Sequence, residues 1–459
     1  MSTKSLGKEI SREEAAAEVL IIWEESLISL RNAMEQLAGD WKIEDWQIRT
    51  AIHGLVFETV RRLNTIDYVL NSVLEKTQIS DLDPLTRNTL RVASYLILFG
   101  KVVPALPTNE AVSIIKRRRN KRLAGLVNAV LRKVQQKGIN EIIQSTVASN
   151  QADLIYSVPQ WLYDYTERLF GPEEAKAFFL ASLDNPPVYI RVNTLQASTD
   201  SAITDLEQEQ FVCTRILPFS EIYKLQRGEK PVTQSEVYKD HRIYIQSLAS
   251  ALVSHVVNPT SKDIVIDLCA APGSKTSHLA QLMDNRGAVI AIDNILPRTQ
   301  ELTRNLTRLG VQNTHILMAN SFSLPFRESF RADRVLVDPP CSNTGVIQTR
   351  PEAKWIVTLD LVHRLRKVQS GLLTEGSRFV ASDGFLVYST CSITLIENEQ
   401  VIQDFLETHS EFHLTQAEPI IGDEAFVGLT ECQRLLPHRN DTEGFFIAKL
   451  QRKAPSSNR

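Results

Sequence analysis

Between residues 264 and 448 the chain repeats one pattern, and that pattern restricts the fold more than any other feature. Short apolar runs occur at 264–268, 288–292, 315–318, 334–337, 384–388 and 445–448, and helix-length segments separate most of them. Short runs that are largely apolar read as strands buried on both faces. Alternating them with helices gives crossover connections, so the expected fold is α/β, a doubly wound and mostly parallel sheet.

The chain before this region has a different texture. Ser11 with Glu14 forms a capping-box pattern ahead of an apolar-rich stretch, 15–37, that runs toward Gly39. Residues 53–70 carry Leu55, Val56, Val60, Leu63 and Tyr68 in a helical stripe, and Asp83-Pro84 opens a helix expected to reach Gly100. A further helical stretch spans 109–134, so residues 10–140 read as an all-helical bundle. From 150 to 240, strand-like pieces (188–192 and 211–216) lie in polar, loop-rich sequence, which indicates a small α+β insert. The expected domains are 1–145, 146–240 and 241–453, with a disordered tail at 454–459; 459 residues suit two or three domains.

No apolar run reaches the roughly eighteen residues of a membrane span, and the N-terminus lacks the layout of a signal peptide, so a cytoplasmic protein is expected. The five cysteines (213, 269, 341, 391 and 432) are too scattered for a disulfide framework or a zinc site, and no metal is expected. Cys213 and Cys432 read as small core residues. The net charge of −3 does not point to nucleic acid. A local basic face can still exist within such an average. The densest basic run is Lys116, Arg117, Arg118 and Arg119, followed by Lys121 and Arg122. It reads as an edge that contacts phosphates. Arg350, Lys354, Arg364, Arg366 and Lys367 are expected near the border of a catalytic cleft.

The first strand of the α/β region leads into Asp267-Leu268-Cys269-Ala270-Ala271-Pro272-Gly273-Ser274-Lys275-Thr276, which opens a helix. Ligands of such sheets bind at the carboxyl ends of strands, and small residues let the backbone come close to them. A phosphate-cradling loop would need glycine at 269 and 274 around Lys275, and a dinucleotide fingerprint needs three glycines; neither is present. Asp293 ends the next strand, where an acid can accept both hydroxyls of a ribose. Together these features favour a cofactor containing a nucleoside.

Two later strands end in Asp338-Pro339-Pro340-Cys341 and Tyr388-Ser389-Thr390-Cys391-Ser392. The diproline makes a rigid platform for a planar base. Both thiols are then expected at the carboxyl edge of neighbouring strands, facing one crevice. Carbon 5 of cytosine is too poor a nucleophile to take a methyl group unaided. A thiolate that adds to carbon 6 makes carbon 5 enamine-like, and a base later removes the carbon 5 proton.

With these residues the chain resembles the Sun/Fmu family of RNA cytosine-C5 methyltransferases over roughly residues 185–450. The resemblance runs through Arg191–Leu195 (RVNTL), DLCAAPGSKT, DPPCSNTG, YSTCS with Glu397-Asn398-Glu399, and EGFFIAKL. It implies a Rossmann-like methyltransferase sheet that uses S-adenosyl-L-methionine. Cys269, Ala270, Ala271, Pro272, Gly273, Ser274 and Lys275 would line the cofactor loop, and Asp293 would hold the ribose. Asp338 would contact the cofactor's amino group or the target base. Cys391 would be the nucleophile and Cys341 would promote product release. Asn320 stands where the family usually has Asp near the adenine, which implies weaker or altered cofactor binding. Ser274 replaces a common glycine, and Glu443 a common Asp.

The helical region also resembles the NusB-like RNA-binding domain found in the 16S ribosomal RNA branch of the family. Residues 61–67, 107–112 and 125–132 carry that likeness. The expected substrate is therefore small-subunit ribosomal RNA and the expected enzyme a monomer. Transfer RNA remains open as a substrate, as does an inactive RNA-binding assembly factor.

Overall fold

The computed structural model describes residues 3–5, 8–26, 28–41, 43, 45–148, 151–226, 228 and 230–454. Of the tail expected at 454–459, residues 455–459 lie outside them. The chain divides into two compact units: residues 1–184 with 347–356, and residues 185–346 with 357–459.

The first unit opens with a small ribbon, β1 (Thr3–Ser5) and β2 (Lys8–Ile10), followed by helices α1 (Arg12–Ser26), α2 (Leu30–Trp41), α3 (Trp46–Arg61) and α4 (Leu63–Val73). Helices α5 (Pro84–Leu98), α6 (Ala105–Arg118), α7 (Lys121–Ala148), α8 (Ala152–Ile155), α9 (Gln160–Phe170) and α10 (Pro172–Leu183) complete it. Each continuous stretch expected at 15–37, 53–70 and 109–134 is broken into two helices. The Ser29 hydroxyl accepts from the Asn32 amide and starts α2 afresh, and the Asn120 side chain does the same for Leu123 in α7. Ser11 caps α1 as expected, but the Glu14 carboxylate turns away to Arg118 (2.9 Å) and Arg117.

Two apolar clusters fill this unit, one centred on Val19, Leu30 and Val56 and the other on Ile66, Leu90 and Leu131. Arg91 forks onto Asp67 at 2.8 and 2.6 Å and pairs with Glu24, fastening α5 to α4 and α1. Segment 347–356, distant in sequence, belongs to the same unit. Its Trp355 indole donates to Val60 O (2.9 Å) and Lys354 Nζ to Arg61 O (2.8 Å), while Arg61 donates to Gln348 O (2.6 Å). Lys354 is therefore buried, with 1 % of its surface exposed, and not at a cleft border. Burial beside Arg61 and Arg62 lowers its ammonium pKa well below the usual range.

The second unit begins with a four-stranded antiparallel sheet. Its elements are β3 (Val188–Val192), α11 (Thr199–Gln208), β4 (Cys213–Arg215), β5 (Ile222–Leu225), α12 (Glu236–Lys239) and β6 (Ile243–Ile245), in strand order β4-β5-β3-β6. The chain then runs through α13 (Leu248–Val257), β7 (Ile264–Asp267), α14 (Ser274–Leu282), β8 (Ala288–Asp293), α15 (Leu296–Arg308), β9 (Thr314–Met318) and β10 (Ala332–Val337). After α16 (Ala353–Ile356), in the segment that belongs to the first unit, come α17 (Leu359–Ser377), β11 (Val380–Thr390) and α18 (Glu399–Thr408). Strands β12 (Phe412–Thr415), β13 (Asp423–Glu424) and β14 (Gln433–Leu435), helix α19 (Pro437–Asn440) and β15 (Phe445–Arg452) end the unit.

The large sheet has the order β13-β14-β15-β11-β10-β7-β8-β9, with β12 on β15. Strands β9, β8, β7, β10 and β11 run parallel, and β15 is antiparallel to β11. The order reverses between β7 and β10, so a crevice opens at the carboxyl ends there. This is the doubly wound α/β fold read from the apolar runs. Among the described residues, no helix is long and apolar enough to cross a membrane.

Candidate active site

The loop 268–273 crosses the carboxyl end of the sheet. Leu268 N donates to Leu336 O (3.0 Å) and Ala270 N to Ile292 O (2.9 Å), so the loop is stitched to both neighbouring strands. Ala270 and Ala271 pack on Leu302 and Leu306 of α15. Gly273 has φ +101°, and a Cβ there would lie 2.8 Å from Leu302 Cδ1, so this turn requires glycine. Asp293 at the end of β8 is 3 % exposed; its carboxylate accepts from Ala271 N (3.3 Å) and Ile295 N (3.1 Å). Arg298 lies 3.4 Å from it and donates to Ala271 O (2.6 Å). The acid thus shapes the loop as well as facing the crevice. Asn320, after β9, is exposed, and its side chain accepts from Phe322 N (3.0 Å). Met318 and Phe322 nearby are about half exposed, as are Ile295 and Leu296 beyond β8.

Asp267 is buried beneath the loop and accepts from the Thr276 hydroxyl (2.8 Å). Burial pushes its carboxyl from an ordinary 3.8 up to about 7. The folded protein therefore holds a proton that the unfolded chain has released, and the corresponding stability, full below pH 3.8, is lost as pH rises through about 7. Asp267→Asn stays neutral throughout, so its melting temperature relative to the native protein is expected to rise across that window. Thermal denaturation at a series of pH values checks this; parallel profiles contradict it.

Lys275, at the start of α14, reaches Asp338 Oδ2 at 2.6 Å, and Ser389 Oγ donates to Asp338 Oδ1 at 2.7 Å. Burial alone would lower the Lys275 ammonium pKa, but the Asp338 charge outweighs it and the pKa is raised. Three motifs distant in sequence thus meet at one carboxylate.

The two thiols meet beside it. Strands β10 and β11 are parallel neighbours, and the residues just beyond them bring Cys341 Sγ to 2.9 Å from Cys391 Sγ. Cys391 Sγ also lies 3.2 Å from Asn343 Oδ1. The hydrogen bond to Cys391, with burial, pushes the Cys341 thiol pKa well up. Cys269 is likewise pushed up by burial, and Cys213 rises to about 11 for the same reason. Cys432 is core, and all five cysteines are free. A close backbone approach supports the Cys391 loop. Gly345 N donates to Cys391 O (2.9 Å), Gly444 N donates to Gly345 O (2.8 Å), and a Cβ on Gly345 would lie 2.1 Å from Gly444 O.

Several contributors were not singled out by role in the sequence. Asn343 and Ser389 are ordinary polar residues there, and only folding brings them to a thiol and to Asp338. Glu397 is fully buried and accepts from donors on both cysteine loops. Arg191 is buried and donates to Ser274 O (3.2 Å) and Ser277 Oγ (2.9 Å), which ties β3 to the first turns of α14. Near it, Glu221 accepts from His255 (2.7 Å) and His278 (3.1 Å). Burial lowers the His278 pKa to about 3, so its ring is neutral at pH 7.

The basic run on the first unit is partly neutralised. Arg118 pairs with Glu14 and Glu18 (2.9 and 2.7 Å), Arg119 with Asp83 (3.0 Å) and Arg117 with Glu14. Lys116, Lys121 and Arg122 are exposed. Of the cations expected at a cleft border, Arg366 pairs with Asp404 (2.6 Å), while Arg350, Arg364 and Lys367 are exposed.

Three family models match the chain. Residues 254–451 match "16S rRNA methyltransferase RsmB/F", residues 11–136 the NusB family, and residues 158–228 the ferredoxin-like domain of RsmF/B-like methyltransferases. The chain is 29 % identical over 460 residues to the probable ribosomal RNA small subunit methyltransferase B of Bacillus subtilis (strain 168), covering 97 % of this chain and 100 % of that one. The solved structure of PH0851 is similar over 98 % of this chain and 100 % of its own, with 28 % identity and a TM-score of 0.81. A methyltransferase homologue from Pyrococcus horikoshii is 31 % identical, covers 65 % of this chain and 97 % of its own, and has a TM-score of 0.59. A thiol pair beside a glycine-turn loop, in a chain with these three matches in this order, belongs to the RsmB/F family of methyltransferases.

Proposed function

We propose that the protein methylates carbon 5 of a cytosine in small-subunit ribosomal RNA through a covalent bond to Cys391. The observation that carries this reading is the pair of thiols, 2.9 Å apart, beside Asp338 and the loop 268–273. Methylation of an exocyclic amine needs no thiol, whereas carbon 5 needs a nucleophile at carbon 6.

The residues around the loop fit S-adenosyl-L-methionine. The Gly273 turn lets the loop pack closely on α15, Asp293 ends β8 as an acceptor, and exposed apolar side chains follow β8 and β9. Residues 269–275 with Asp293 and Asn320 would hold the cofactor, which when bound supplies a methyl group on a sulfonium.

Cys391, as thiolate, adds to carbon 6 of the base, and the ring's electron pair moves to carbon 5. Asp338 holds the base or the cofactor's amino group, with its charge fixed by Lys275 and Ser389. After methylation, a base removes the carbon 5 proton, the carbon 5–carbon 6 double bond re-forms and Cys391 leaves. Cys341, whose raised pKa keeps it protonated at pH 7, is suited to returning a proton to the departing sulfur.

Labelled-methyl transfer to purified small-subunit RNA and to bulk transfer RNA, followed by nucleoside analysis, tests the proposal. Label in 5-methylcytidine from small-subunit RNA is expected. Label confined to transfer RNA would move the substrate, and label in another nucleoside would overturn the chemistry. No transfer to any RNA would favour a binding factor.

Lys116, Lys121 and Arg122 supply the cations for RNA on the first unit. Changing all three to Ala is expected to flatten the dependence of log affinity on log salt by about two units. Filter binding across a salt series checks this; an unchanged slope removes the three from the interface.

A further inference from the structure

Each catalytic cysteine is followed by a serine, and both serines end on one carboxylate. Glu397 lies in the turn between β11 and α18 and has no exposed surface. Its Oε1 accepts from Ser342 N (2.8 Å) and Gln369 Nε2 (2.9 Å). Its Oε2 accepts from Ser342 Oγ (2.6 Å), Ser392 Oγ (2.6 Å) and Thr394 Oγ1 (2.9 Å). Gln369 also donates to Pro340 O (3.0 Å), so the backbone is gripped on both sides of Cys341. These five donors are neutral. A buried carboxylate held this way costs desolvation that an apolar side chain filling the same space would avoid. What the carboxylate adds is direction, because it fixes the loops of Cys341 and Cys391 to the same two oxygen atoms.

We infer that Glu397 is a positioning residue for the reaction: its carboxylate sets the placement of Cys341 against Cys391, so that adduct formation and release use thiols already in register. The inference rests on the proposed roles of the two cysteines. Glu397 touches neither thiol and acts through Ser342 and Ser392.

The test uses the full-length protein and two variants. Glu397→Gln keeps the shape but presents an amide that cannot accept at both ends. Ser342→Ala removes the hydroxyl bond to Oε2 on the Cys341 side and keeps the backbone bond to Oε1. The first readout is closure of a Cys341–Cys391 disulfide by diamide. Each thiol gives up its hydrogen, one S–S bond forms, and the two hydrogens reduce the diamide N=N bond. Peptide mapping follows the rate, which reports placement without any turnover. The second readout is steady-state kinetics with small-subunit RNA, and the third is the protein–RNA adduct on a denaturing gel.

Disulfide closure in Glu397→Gln is expected to be about tenfold slower, with kcat lowered about a hundredfold and both KM values within about twofold of native. Ser342→Ala is expected to accumulate adduct, because its nucleophile works while release falters. If Glu397→Gln does not fold, Ser342→Ala decides on the same readouts. Closure at the native rate, or slowed closure with native kcat, overturns the inference. Retained activity in Cys391→Ala would instead break the cysteine reading, which the diamide rates do not depend on.

Discussion

Cys391→Ala lowers methyl transfer by about ten-thousandfold or more, the scale seen when a covalent nucleophile is removed. The neighbouring Cys341 does not take over. Burial still opposes its ionisation when its hydrogen-bond partner is gone, and it sits on a different loop behind a rigid diproline. The substitution removes one sulfur from a partly exposed position, so folding and binding of RNA and cofactor remain. Transfer assays run beside cofactor calorimetry and RNA binding separate lost chemistry from lost binding. Near-native transfer by Cys391→Ala would move the nucleophile elsewhere.

Asp338→Asn has the second largest expected effect, on both stability and rate. Lys275 Nζ is buried 2.6 Å from this carboxylate, and the variant leaves the ammonium facing an amide. Leaving one partner of a buried pair without its counter-charge costs about 3 kcal/mol. Burial of Lys275 is then opposed only by the weaker pull of Cys391 and Asp267, and its pKa falls relative to the native protein. Loss of the oriented charge at the crevice lowers kcat/KM about a hundredfold. Urea denaturation and kinetics check both numbers. Adding Lys275→Met to Asp338→Asn recovers part of the stability, because the unpaired charge is gone, but none of the activity. Wild-type stability in Asp338→Asn would mean that the pair is solvated and idle.

The α/β half was legible because strands buried on both faces are mostly apolar, and six largely apolar runs stand clear of their surroundings, including the partly exposed edge strand β9. The helical half was legible in kind but not in boundaries. Apolar periodicity continues across Ser29, Arg62 and Asn120, where local capping or the chain's own turning ends one helix and starts the next. Cys391 and Cys341 could be placed at neighbouring strand ends because order along the chain carries that much. Their common anchor on Glu397, the Asn343 contact and the Ser389–Asp338 bond depend on loops folding back over the sheet, which no local pattern encodes. Charge runs mislead for a related reason. Arg117, Arg118 and Arg119 look like free cations in sequence, but α6 packs them against acids of α1 and the cap of α5. Lys354 likewise turned inward, because segment 347–356 packs with helix α3 of the first unit.

The central claim is a covalent bond between Cys391 and the target base, and Cys341→Ala allows it to be seen. With release impaired, the methylated adduct accumulates on incubation with small-subunit RNA and the methyl donor. Nuclease and protease digestion followed by mass spectrometry of the peptide containing Cys391 is the direct measurement. The account predicts that this peptide gains the mass of one methylated cytidine nucleotide, and that Cys341→Ala with Cys391→Ala gains none. A modified peptide containing Cys269, Cys213 or Cys432 would contradict it, as would rapid turnover by Cys341→Ala with no adduct on any cysteine.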